Sequence, residues 1–394
     1  MRKKAQGTVP GEKTIGNILL HVLGYLICLA VTAWLLALVA KNAGRVKPVL
    51  RDIPAAPRIE DWVAKARTEA VSQLYLSEGE LPAPRVIYTI EDSAAAAPEP
   101  NPACYGQTTD PAALKDLLSR AEDLLGSEKL YFDPTVERFE DTPVGYYLDE
   151  SIFAVSWKEV HDECVYTFSE VKIAHPSQFR RHLAGGGYGG DIQYLPTEMA
   201  SSVNAVVASS GDFYRFRNFG VVAYDGKVHK VRGEFAETCF VDRSGDLHFT
   251  HQKELITVDE SQQYVDDNSI RFSLAFGPIL VEHGAAVEHS NYFVGEILDH
   301  YPRAALCQMG NLHYLIAAAN VEGSCRRLPT VAKFAEHIRA TGCDMAYCLD
   351  GGQTASIIMM DDLVNLPGYG GQRKMSDIIY FATAVPEETW MEKP

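Results

Sequence analysis

The apolar and polar residues follow three different patterns along the chain, and the first is a long uncharged run. Residues 15–40 contain no Asp, Glu, Lys or Arg over 26 positions. A helix that rises about 1.5 Å per residue needs about 20 such residues to cross the hydrocarbon core of a bilayer. The run therefore predicts a transmembrane anchor, preceded by a cytoplasmic tail over residues 1–14.

A cleaved secretory signal peptide is the alternative interpretation of this run. The apolar region of a signal peptide is usually about 7–15 residues long and ends at a small-residue cleavage site. The run here is longer, and a basic segment at residues 41–45 follows it, which favours a retained anchor. Basic residues are equally frequent on its two sides, so the positive-inside rule does not fix the orientation.

The second pattern covers residues 41–143, where apolar positions are sparse. Residues 59–76 place their apolar side chains at roughly helical spacing, which predicts a stalk helix. Residues 81–111 are rich in Pro and Ala and predict an extended linker. Asp110 as an N-cap, with a proline directly after it, predicts a short helix that runs to Gly126.

The third pattern covers residues 144–394, where short apolar or alternating runs are separated by Gly, Asp, Asn and Pro turns. The predicted strands are 152–157, 165–173, 203–209, 220–224, 247–250, 270–276, 312–319, 346–349, 355–359 and 378–382. Helices are predicted at 177–183 and 330–341, the second with one apolar face and Gly342 after its end. We therefore expect one strand-rich, mixed α+β domain with few helices, behind the N-terminal transmembrane helix.

The charge distribution excludes one class of partner. The formal net charge is −16, and residues 1–58 hold nine of the 36 basic and two of the 52 acidic residues, so the remainder carries −23. Neutralising phosphates needs a surplus of Lys and Arg on at least one face, so we expect no nucleic-acid partner.

The cysteines and metal-binding motifs give little sign of a bound metal. One of the eight cysteines lies in the predicted anchor, and the other seven form no CxxC pair, which argues against a zinc ribbon. Buried thiols are expected for most of them, although some could pair if this part of the chain is exported. The sequence also lacks a Walker A loop and an HExxH motif. We expect no cofactor and no metal.

The segment 185–190, Gly-Gly-Gly-Tyr-Gly-Gly, formally matches the GxGxxG pattern of dinucleotide-binding folds. That pattern has to end a strand and open a helix, because the helix N-terminus binds the phosphates. The residues that follow, 191–196, do not start a helix. We therefore expect a loop that could cover a site.

The sharpest chemical signal lies between Met345 and Met360. An apolar run stops at Asp350, turns through Gly351 and Gly352, and resumes as a second apolar run. Two glycines let a ligand approach the backbone closely, and a carboxylate at a strand end is held on a rigid element. Polar side chains that suit sugar hydroxyls follow in the same segment: Gln353, Thr354 and Ser356. An ordinary Asp-Gly hairpin turn is the alternative interpretation.

Several segments between residues 166 and 384 carry a resemblance to a known family when they are taken in order. These segments are 171–180, 204–214, 219–228, 274–284, 301–320, 348–356 and 373–384. The ordered set resembles the phosphodiester glycosidase family. The resemblance implies cleavage of the bond between a sugar and a phosphodiester.

The sequence departs from the family pattern at three places where family members are expected to line the site. Ser210-Gly211-Asp212 stands where the family usually has Asn-Gly-Gly. Residues 320–323 stand where it often has Asp-Gly-Arg, and residues 353–355 replace Gly-Ser-Ser. These changes leave activity less well supported than the fold.

The chemistry that the resemblance implies assigns a role to each candidate. A phosphate monoester is a good leaving group, so the reaction needs a carboxylate near the sugar and a cation near the phosphate more than a strong acid. Asp350 suits the carboxylate, with Asp212 and Glu322 as candidates for the other acid or base. Arg303 suits the cation, and Arg373 is a second candidate. The predicted donors to phosphate or hydroxyl oxygens are the Gly351 and Gly352 amides and the side chains of Gln353, Thr354 and Ser356.

The sequence thus predicts a membrane-anchored extracytoplasmic glycosidase with a single-pass anchor and a large external C-terminal domain. Its expected partners are the lipid bilayer, through residues 15–40, and sugar phosphodiesters of cell-envelope or exopolysaccharide glycans. The alternative is a catalytically inactive family member that binds envelope polysaccharide or helps to assemble it.

Overall fold

The computed structural model describes residues 96–216, 219–289, 292, 295–368, 371–387 and 389. All of them belong to one compact unit. The predicted anchor at 15–40 and the predicted stalk helix at 59–76 lie outside the described residues. Among the residues that are described, no helix combines the length and the apolar composition needed to cross a bilayer.

Strands dominate this unit, and helices are few and short. In chain order the strands are β1 Tyr105–Thr108, β2 Val144–Leu148, β3 Ile152–His161, β4 Cys164–Ile173, β5 Phe179–Leu183, β6 Val207–Ser210, β7 Gly220–Tyr224, β8 Lys227–Arg232, β9 Thr238–Asp242, β10 Leu247–Thr250, β11 Ile270–Leu274, β12 Ile279–Glu282, β13 Ala285–Ala286, β14 Arg303–Gly310, β15 His313–Asn320, β16 Met345–Leu349, β17 Ile357–Met359, β18 Asp362–Leu363 and β19 Asp377–Phe381. The α-helices are α1 Pro111–Arg120, α2 Glu122–Leu125, α3 Pro196–Ser202, α4 Val258–Asp267 and α5 Val331–Ala340. The strand-rich α+β class is confirmed.

The strands form three antiparallel sheets. The largest has nine strands in the order β1-β2-β3-β4-β15-β14-β16-β12-β13. The two others have five strands each, in the orders β10-β9-β11-β7-β8 and β18-β17-β6-β19-β5. Strand β19 therefore lies between β6 and β5, although more than 160 residues separate it from either in the sequence.

Both faces of the nine-stranded sheet are covered, as β15 shows. Leu315, Ala317 and Ala319 pack on one face with α1 and α5. Their neighbours Ile316 and Ala318 pack on the other face, against the two smaller sheets. Successive side chains of a strand point to opposite faces, so a strand buried on both sides is apolar without interruption. This accounts for the continuous apolar run that predicted the strand.

Two predicted helices have different outcomes. The helix predicted at 330–341 is confirmed as α5, with Thr330 capping its N-terminus and its apolar face in the core. The helix predicted at 177–183 is wrong. Residues Pro176–Gln178 form one 3₁₀ turn, and 179–183 form β5, which pairs with β19. Burial of Phe179 and Leu183 within a sheet outweighs the local pattern.

The predicted domain start at residue 144 is too late. Strand β1, inside the predicted linker, pairs with β2, and Leu114 and Leu117 of α1 pack in the core of the nine-stranded sheet. The predicted cap and end of this helical segment are confirmed, because Asp110 accepts a hydrogen bond from Ala112 N at 3.0 Å and Gly126 ends α2. Residues 105–143 are therefore part of the domain rather than a tether to it.

The seven cysteines in the described part of the chain are all thiols, and six of them are buried, as expected for most. The glycine-rich segment 185–190 follows β5 as a loop of turns and bends. The next α-helix, α3, begins six residues after this segment. The loop prediction for this segment is confirmed.

Candidate active site

Two strands from different sheets end side by side and place the main candidate residues together. Strand β16 ends at Leu349 and is followed by Asp350, and β6 ends at Ser210. The Ser210 hydroxyl donates to the Asp350 carbonyl oxygen at 2.9 Å, and the Asp350 amide donates to the Gly211 carbonyl oxygen at 3.2 Å. The two predicted site segments are therefore in direct contact.

The turn after Asp350 needs its glycines because another loop lies directly behind it. A Cβ atom on Gly351 would lie 2.5 Å from the Pro302 carbonyl oxygen. Gly352 has a φ of +66°, which favours glycine, and a Cβ there would lie 2.8 Å from the Tyr301 hydroxyl. The Gly352 amide donates to the Pro302 carbonyl oxygen at 3.0 Å. That amide is engaged in the turn, which argues against its predicted role as a substrate donor.

Asp350 lies beside Arg373 and an aromatic pair, and we call Asp350, Arg373, Phe213 and Phe216 the Asp350 cluster. Arg373 Nη2 is 3.5 Å from Asp350 Oδ2. The Asp350 side chain is 9% exposed and that of Arg373 is 45% exposed, so the pair reaches the surface. The Arg373 guanidinium lies 5.3 Å from the ring centroid of Phe213, which stacks on Phe216 at 4.7 Å. The arrangement places a partly exposed cation at the surface and a largely buried carboxylate next to it.

A charged group of three residues lies buried next to Asp350, and we call Arg181, Asp212 and Asp377 the buried triad. Arg181 Nε and Nη2 each lie 2.8 Å from Asp377 Oδ2, and Nη2 is 3.7 Å from Asp212 Oδ2. The Asp212 amide donates to Asp377 Oδ2 at 3.0 Å, and Asp212 Oδ2 accepts from the Ala275 amide at 2.9 Å. All three side chains are at most 1% exposed.

Gly211 joins the Asp350 cluster to the buried triad. Its carbonyl oxygen accepts from the Asp350 amide, and a Cβ atom at this position would overlap the Asp377 carboxylate. Only glycine fits this close approach. The position of Asp350 therefore depends on the packing of the triad through one residue.

The triad has one guanidinium for two carboxylates, and this imbalance affects protonation. Burial raises the pKa of Asp377 to about 7, and the charge of Asp212 acts in the same direction while Arg181 opposes it. Burial also raises the pKa of Asp212, again opposed by Arg181. Two buried carboxylates that lie beside the same guanidinium cannot both ionise readily. The two carboxylates of the triad therefore keep a proton up to a higher pH than an exposed aspartate does.

Arg303, the predicted phosphate cation, is placed away from solvent. The residue is 5% exposed, and its Nη2 donates to the carbonyl oxygens of Asp299 at 2.8 Å and Glu296 at 2.5 Å. Burial lowers the pKa of its guanidinium. These contacts hold the 3₁₀ turn Gly295–Leu298 against β14 and argue against direct contact with a substrate.

The side chains of Glu322 and Thr354 are bonded to other residues of the fold, and the side chain of Ser356 is buried. Glu322 Oε1 accepts from Lys158 Nζ at 2.6 Å. The Thr354 hydroxyl donates to the Gly351 carbonyl oxygen at 2.6 Å, and Ser356 is fully buried. The backbone carbonyl oxygen of Gln353 accepts a hydrogen bond from the backbone amide of Arg373 at 3.3 Å. Of the predicted residues, the structure brings Asp350, Asp212, Gly351 and Arg373 together.

The sequence analysis missed Arg181, Asp377 and Phe213. One signal was available for Asp377, which stands at the start of the apolar run that forms β19. A charge in a buried strand is costly without a partner, so a cation is expected beside it. The sequence gives no such signal for Arg181, which lies between Arg180 and His182. For Phe213 the sequence gives no signal that distinguishes it from a core residue.

Residues 203–382 match the model of a family described as phosphodiester glycosidase, and this confirms the resemblance found in the sequence. No match was found among curated proteins. Two similar solved structures are the catalytic domain of zebrafish N-acetylglucosamine-1-phosphodiester alpha-N-acetylglucosaminidase, auto-inhibited by its pro-peptide, and a hypothetical protein from Synechocystis.

The zebrafish domain has 15% identity and a TM-score of 0.47, with 59% of this chain and 82% of that chain covered. The Synechocystis protein has 12% identity and a TM-score of 0.43, with 60% of this chain and 63% of that chain covered. The segment that matches the family includes Asp212, Asp350, Arg373 and Asp377. Arg181 lies before it.

Proposed function

We propose that this chain, whose residues 203–382 belong to the phosphodiester glycosidase family, hydrolyses the bond between a sugar and the phosphate of a glycan phosphodiester. The observation that supports this most directly is the Asp350 cluster. There a carboxylate and a partly exposed guanidinium lie 3.5 Å apart, beside a turn whose two glycines pack against Tyr301 and Pro302. Such a pair can face the sugar and the phosphate of one substrate together.

The proposed reaction breaks the bond between the anomeric carbon and the phosphate oxygen. Water adds to the anomeric carbon and loses a proton, and the electron pair of the broken bond leaves with the phosphate monoester. The second pKa of a phosphate monoester is near 6, so this group leaves without strong acid assistance. Asp350 would stabilise the positive charge that develops on the sugar or take the proton from water.

Arg373 is our candidate for the cation that binds the phosphate. Its side chain is 45% exposed, whereas Arg303 is 5% exposed and donates to two backbone carbonyls. A guanidinium suits a phosphate because two parallel N–H groups can bind two oxygens. Phe213, under the guanidinium, limits the orientations that Arg373 can adopt.

Asp212 is assigned a positioning role rather than a chemical one. Its side chain is 1% exposed and accepts from the Ala275 amide, so it does not face a substrate. The Asp212 amide donates to Asp377, and the Asp350 amide donates to the neighbouring Gly211 carbonyl oxygen, so the triad supports both loops that carry the site. A preorganised carboxylate is what stabilisation of a transition state requires.

The test is a hydrolysis assay of the full-length protein with a panel of sugar-1-phosphodiesters, in which released sugar is measured. We expect release that disappears in Asp350→Asn and persists in Asp116→Asn, a matched change at an exposed aspartate of α1. Equal release by wild type and Asp350→Asn would remove this aspartate from the mechanism. Absence of release from every substrate would instead favour the second candidate.

That second candidate is an inactive member that binds envelope polysaccharide or helps to assemble it. It is favoured by Ser210-Gly211-Asp212, which places a buried carboxylate where the family usually has a glycine. Equilibrium binding of the same substrates separates the two functions. A binder should retain affinity without turnover, and Asp350→Asn should weaken that affinity.

We further propose that the domain acts outside the cytoplasm on envelope or exopolysaccharide glycans and is attached to the bilayer by residues 15–40. The support is the uncharged run itself, which is long enough to span. Protease added to intact cells should digest the domain and leave a short N-terminal fragment. Digestion that occurs only after lysis would place the domain on the cytoplasmic side.

A further inference from the structure

A cavity of about 550 Å³ lies on the helix-covered side of the nine-stranded sheet. Its walls are α5, the turn between β3 and β4, and residues 327–329. None of the residues that line it belongs to the Asp350 cluster or to the buried triad. A volume of this size matches the usual range of small-ligand sites, about 300–1,000 Å³.

The cavity lining carries a small excess of positive charge on a domain that is strongly acidic. With His counted as neutral, its lining holds three cations, Arg327, Lys333 and Arg339, and two acidic residues, Asp162 and Glu336, whereas the chain as a whole carries −16. His161, His300 and His337 also line it, and burial lowers the pKa of His337 to about 4, so this ring is neutral at pH 7. Such a local reversal of charge favours an anionic ligand.

The charged groups at the rim are held only weakly by their present partners. Lys333 pairs with Glu336 at 2.9 Å, and both side chains are more than 60% exposed. Arg327 pairs with Glu163 at 3.0 Å in a similarly exposed position. Exposed ion pairs contribute little to stability, so an anion can displace the carboxylates. Arg339, on the same helix, also acts electrostatically on Glu336.

The inner wall of the cavity is aromatic. The ring centroid of His337 lies 4.0 Å from that of Tyr166 and 4.3 Å from that of His161. His161 is fixed in turn, because its Nε2 lies 2.7 Å from Glu159 Oε2. Flat rings with a few polar groups suit the apolar face and the hydroxyls of a sugar.

One polar atom in this wall has no partner in the protein. His337 Nε2 is buried and makes no hydrogen bond within the described structure. A buried nitrogen of this kind is costly to leave unsatisfied, at about the strength of one hydrogen bond. Because this nitrogen has almost no exposed surface, a ligand hydroxyl in the cavity would reach it only after a shift of the side chains that cover it.

We propose that this cavity is a second binding site, for an anionic saccharide unit that carries a phosphate or a carboxylate. The anion lies among Lys333, Arg339 and Arg327, and the sugar ring lies against His337 and Tyr166. This goes beyond the hydrolysis proposed for the Asp350 cluster and does not depend on it. Such a site would hold a charged glycan on the domain.

The test uses isothermal titration of the full-length protein with four probes: glucose 6-phosphate, glucuronate, glucose and inorganic phosphate. We expect saturable binding of one or both anionic sugars and at least about tenfold weaker binding of glucose, because a charge-assisted contact is lost. The comparison of glucose 6-phosphate with glucuronate identifies the preferred anion. Inorganic phosphate should bind more weakly than glucose 6-phosphate, because it cannot contact the ring wall.

Variants locate the binding. Lys333→Ala and Arg339→Ala, both at exposed positions of α5, should each weaken binding of the anionic sugar about tenfold. Arg120→Ala is the matched control, since Arg120 is exposed on α1 and pairs with Asp116 four residues away. His337→Phe keeps a ring and removes Nε2, and it should weaken the sugars but not inorganic phosphate.

Binding in the cavity should persist in Asp350→Asn and Arg373→Ala, so failure of the hydrolysis proposal leaves this one standing. Loss of anionic-sugar binding in Arg373→Ala would place the ligand at the Asp350 cluster and overturn the proposal. So would unchanged binding in both Lys333→Ala and Arg339→Ala, equal affinities for glucose and glucose 6-phosphate, or no saturable binding of any anionic probe.

Discussion

Arg181 and Asp377 are 196 residues apart in the sequence, and their side chains meet at 2.8 Å with neither of them exposed. This contact joins the edge strand β5 to its neighbour β19 in the five-stranded sheet that contains β6. It also lies against Gly211, whose carbonyl oxygen holds Asp350. The stability of the domain and the geometry of the site are therefore expected to depend on the same ion pair.

Removing one partner of this pair should be costly. Asp377→Ala leaves Arg181 buried with only Asp212, at 3.7 Å, to compensate its charge. We expect a loss of about 3–5 kcal/mol in the free energy of unfolding, the usual cost of breaking a buried pair. Urea unfolding measures it, with Asp116→Ala of an exposed pair as the control, expected to cost under about 1 kcal/mol. Equal losses in the two variants would contradict the importance of the triad.

The same residue predicts a dependence of stability on pH. Burial raises the pKa of Asp377 from 3.8 to about 7. Between these values the unfolded chain has released this proton and the folded protein still holds it, so the free energy of unfolding falls as the pH rises. Asp377→Asn has no proton to release. The change in urea midpoint between pH 5 and pH 8 should therefore be less negative in Asp377→Asn than in wild type. Identical changes would show that Asp377 does not titrate in this window.

The role proposed for Asp350 predicts a loss of turnover without a loss of binding. Asp350→Asn keeps the shape and removes the charge that would stabilise the sugar cation in the transition state. We expect turnover of a sugar-1-phosphodiester to fall by about a hundredfold or more, as for other preorganised electrostatic groups. Substrate affinity, measured by equilibrium binding, should change little. A variant that loses affinity and retains turnover would reverse this assignment.

The two candidate arginines predict different phenotypes. Arg373→Ala should lower kcat/KM for a phosphodiester by about ten- to a hundredfold and have little effect on an uncharged aryl glycoside, because only the first substrate has a phosphate to bind. Arg303→Ala should act on stability, since it leaves the Glu296 and Asp299 carbonyl oxygens without their donor. A phosphodiester-specific defect in Arg303→Ala with normal stability would restore that residue as the phosphate cation.

The position of β1 and α1 predicts where the domain can be shortened. A protein that begins at residue 144 lacks Leu114, Leu117 and Phe132, all buried in the core. It also loses the Tyr131 and Phe132 amides that donate to the Glu170 carboxylate at 2.9 and 2.8 Å. We expect it to aggregate, whereas a protein that begins at residue 96 should unfold cooperatively. Light scattering and urea unfolding compare the two, and cooperative unfolding of the shorter protein would show that residues 96–143 are dispensable.

The sequence was most informative where a structural feature is local. The strand at 312–319 was predictable because burial on both faces requires an uninterrupted apolar run, and α5 because its apolar residues repeat with helical spacing. Asp350 and its two glycines were predictable for the same reason, since a strand, a turn and a strand lie within 16 residues.

Features that depend on distant partners were not predictable. The segment 179–183 forms a strand only because β19 lies beside it, and β1 is a strand only because β2 offers it an edge. The sequence predicted Arg303 as the phosphate cation, yet its guanidinium donates to two carbonyl oxygens of a neighbouring turn. The assignment of the phosphate cation therefore moved from Arg303 to Arg373, which the sequence ranked second.

The order of strands in the five-stranded sheet β18-β17-β6-β19-β5 has a consequence for biosynthesis. A chain emerges from the ribosome from its N-terminus, and β19 is the last strand to be made, yet it inserts between β6 and β5. Until it arrives, β5 and β6 have no strand between them, and Arg181 has no Asp377 to bind. The Asp350 turn then lacks the support that reaches it through Gly211. A nascent or C-terminally clipped chain should therefore be unable to complete this site, and activity should appear only after synthesis of residues 377–381 is finished.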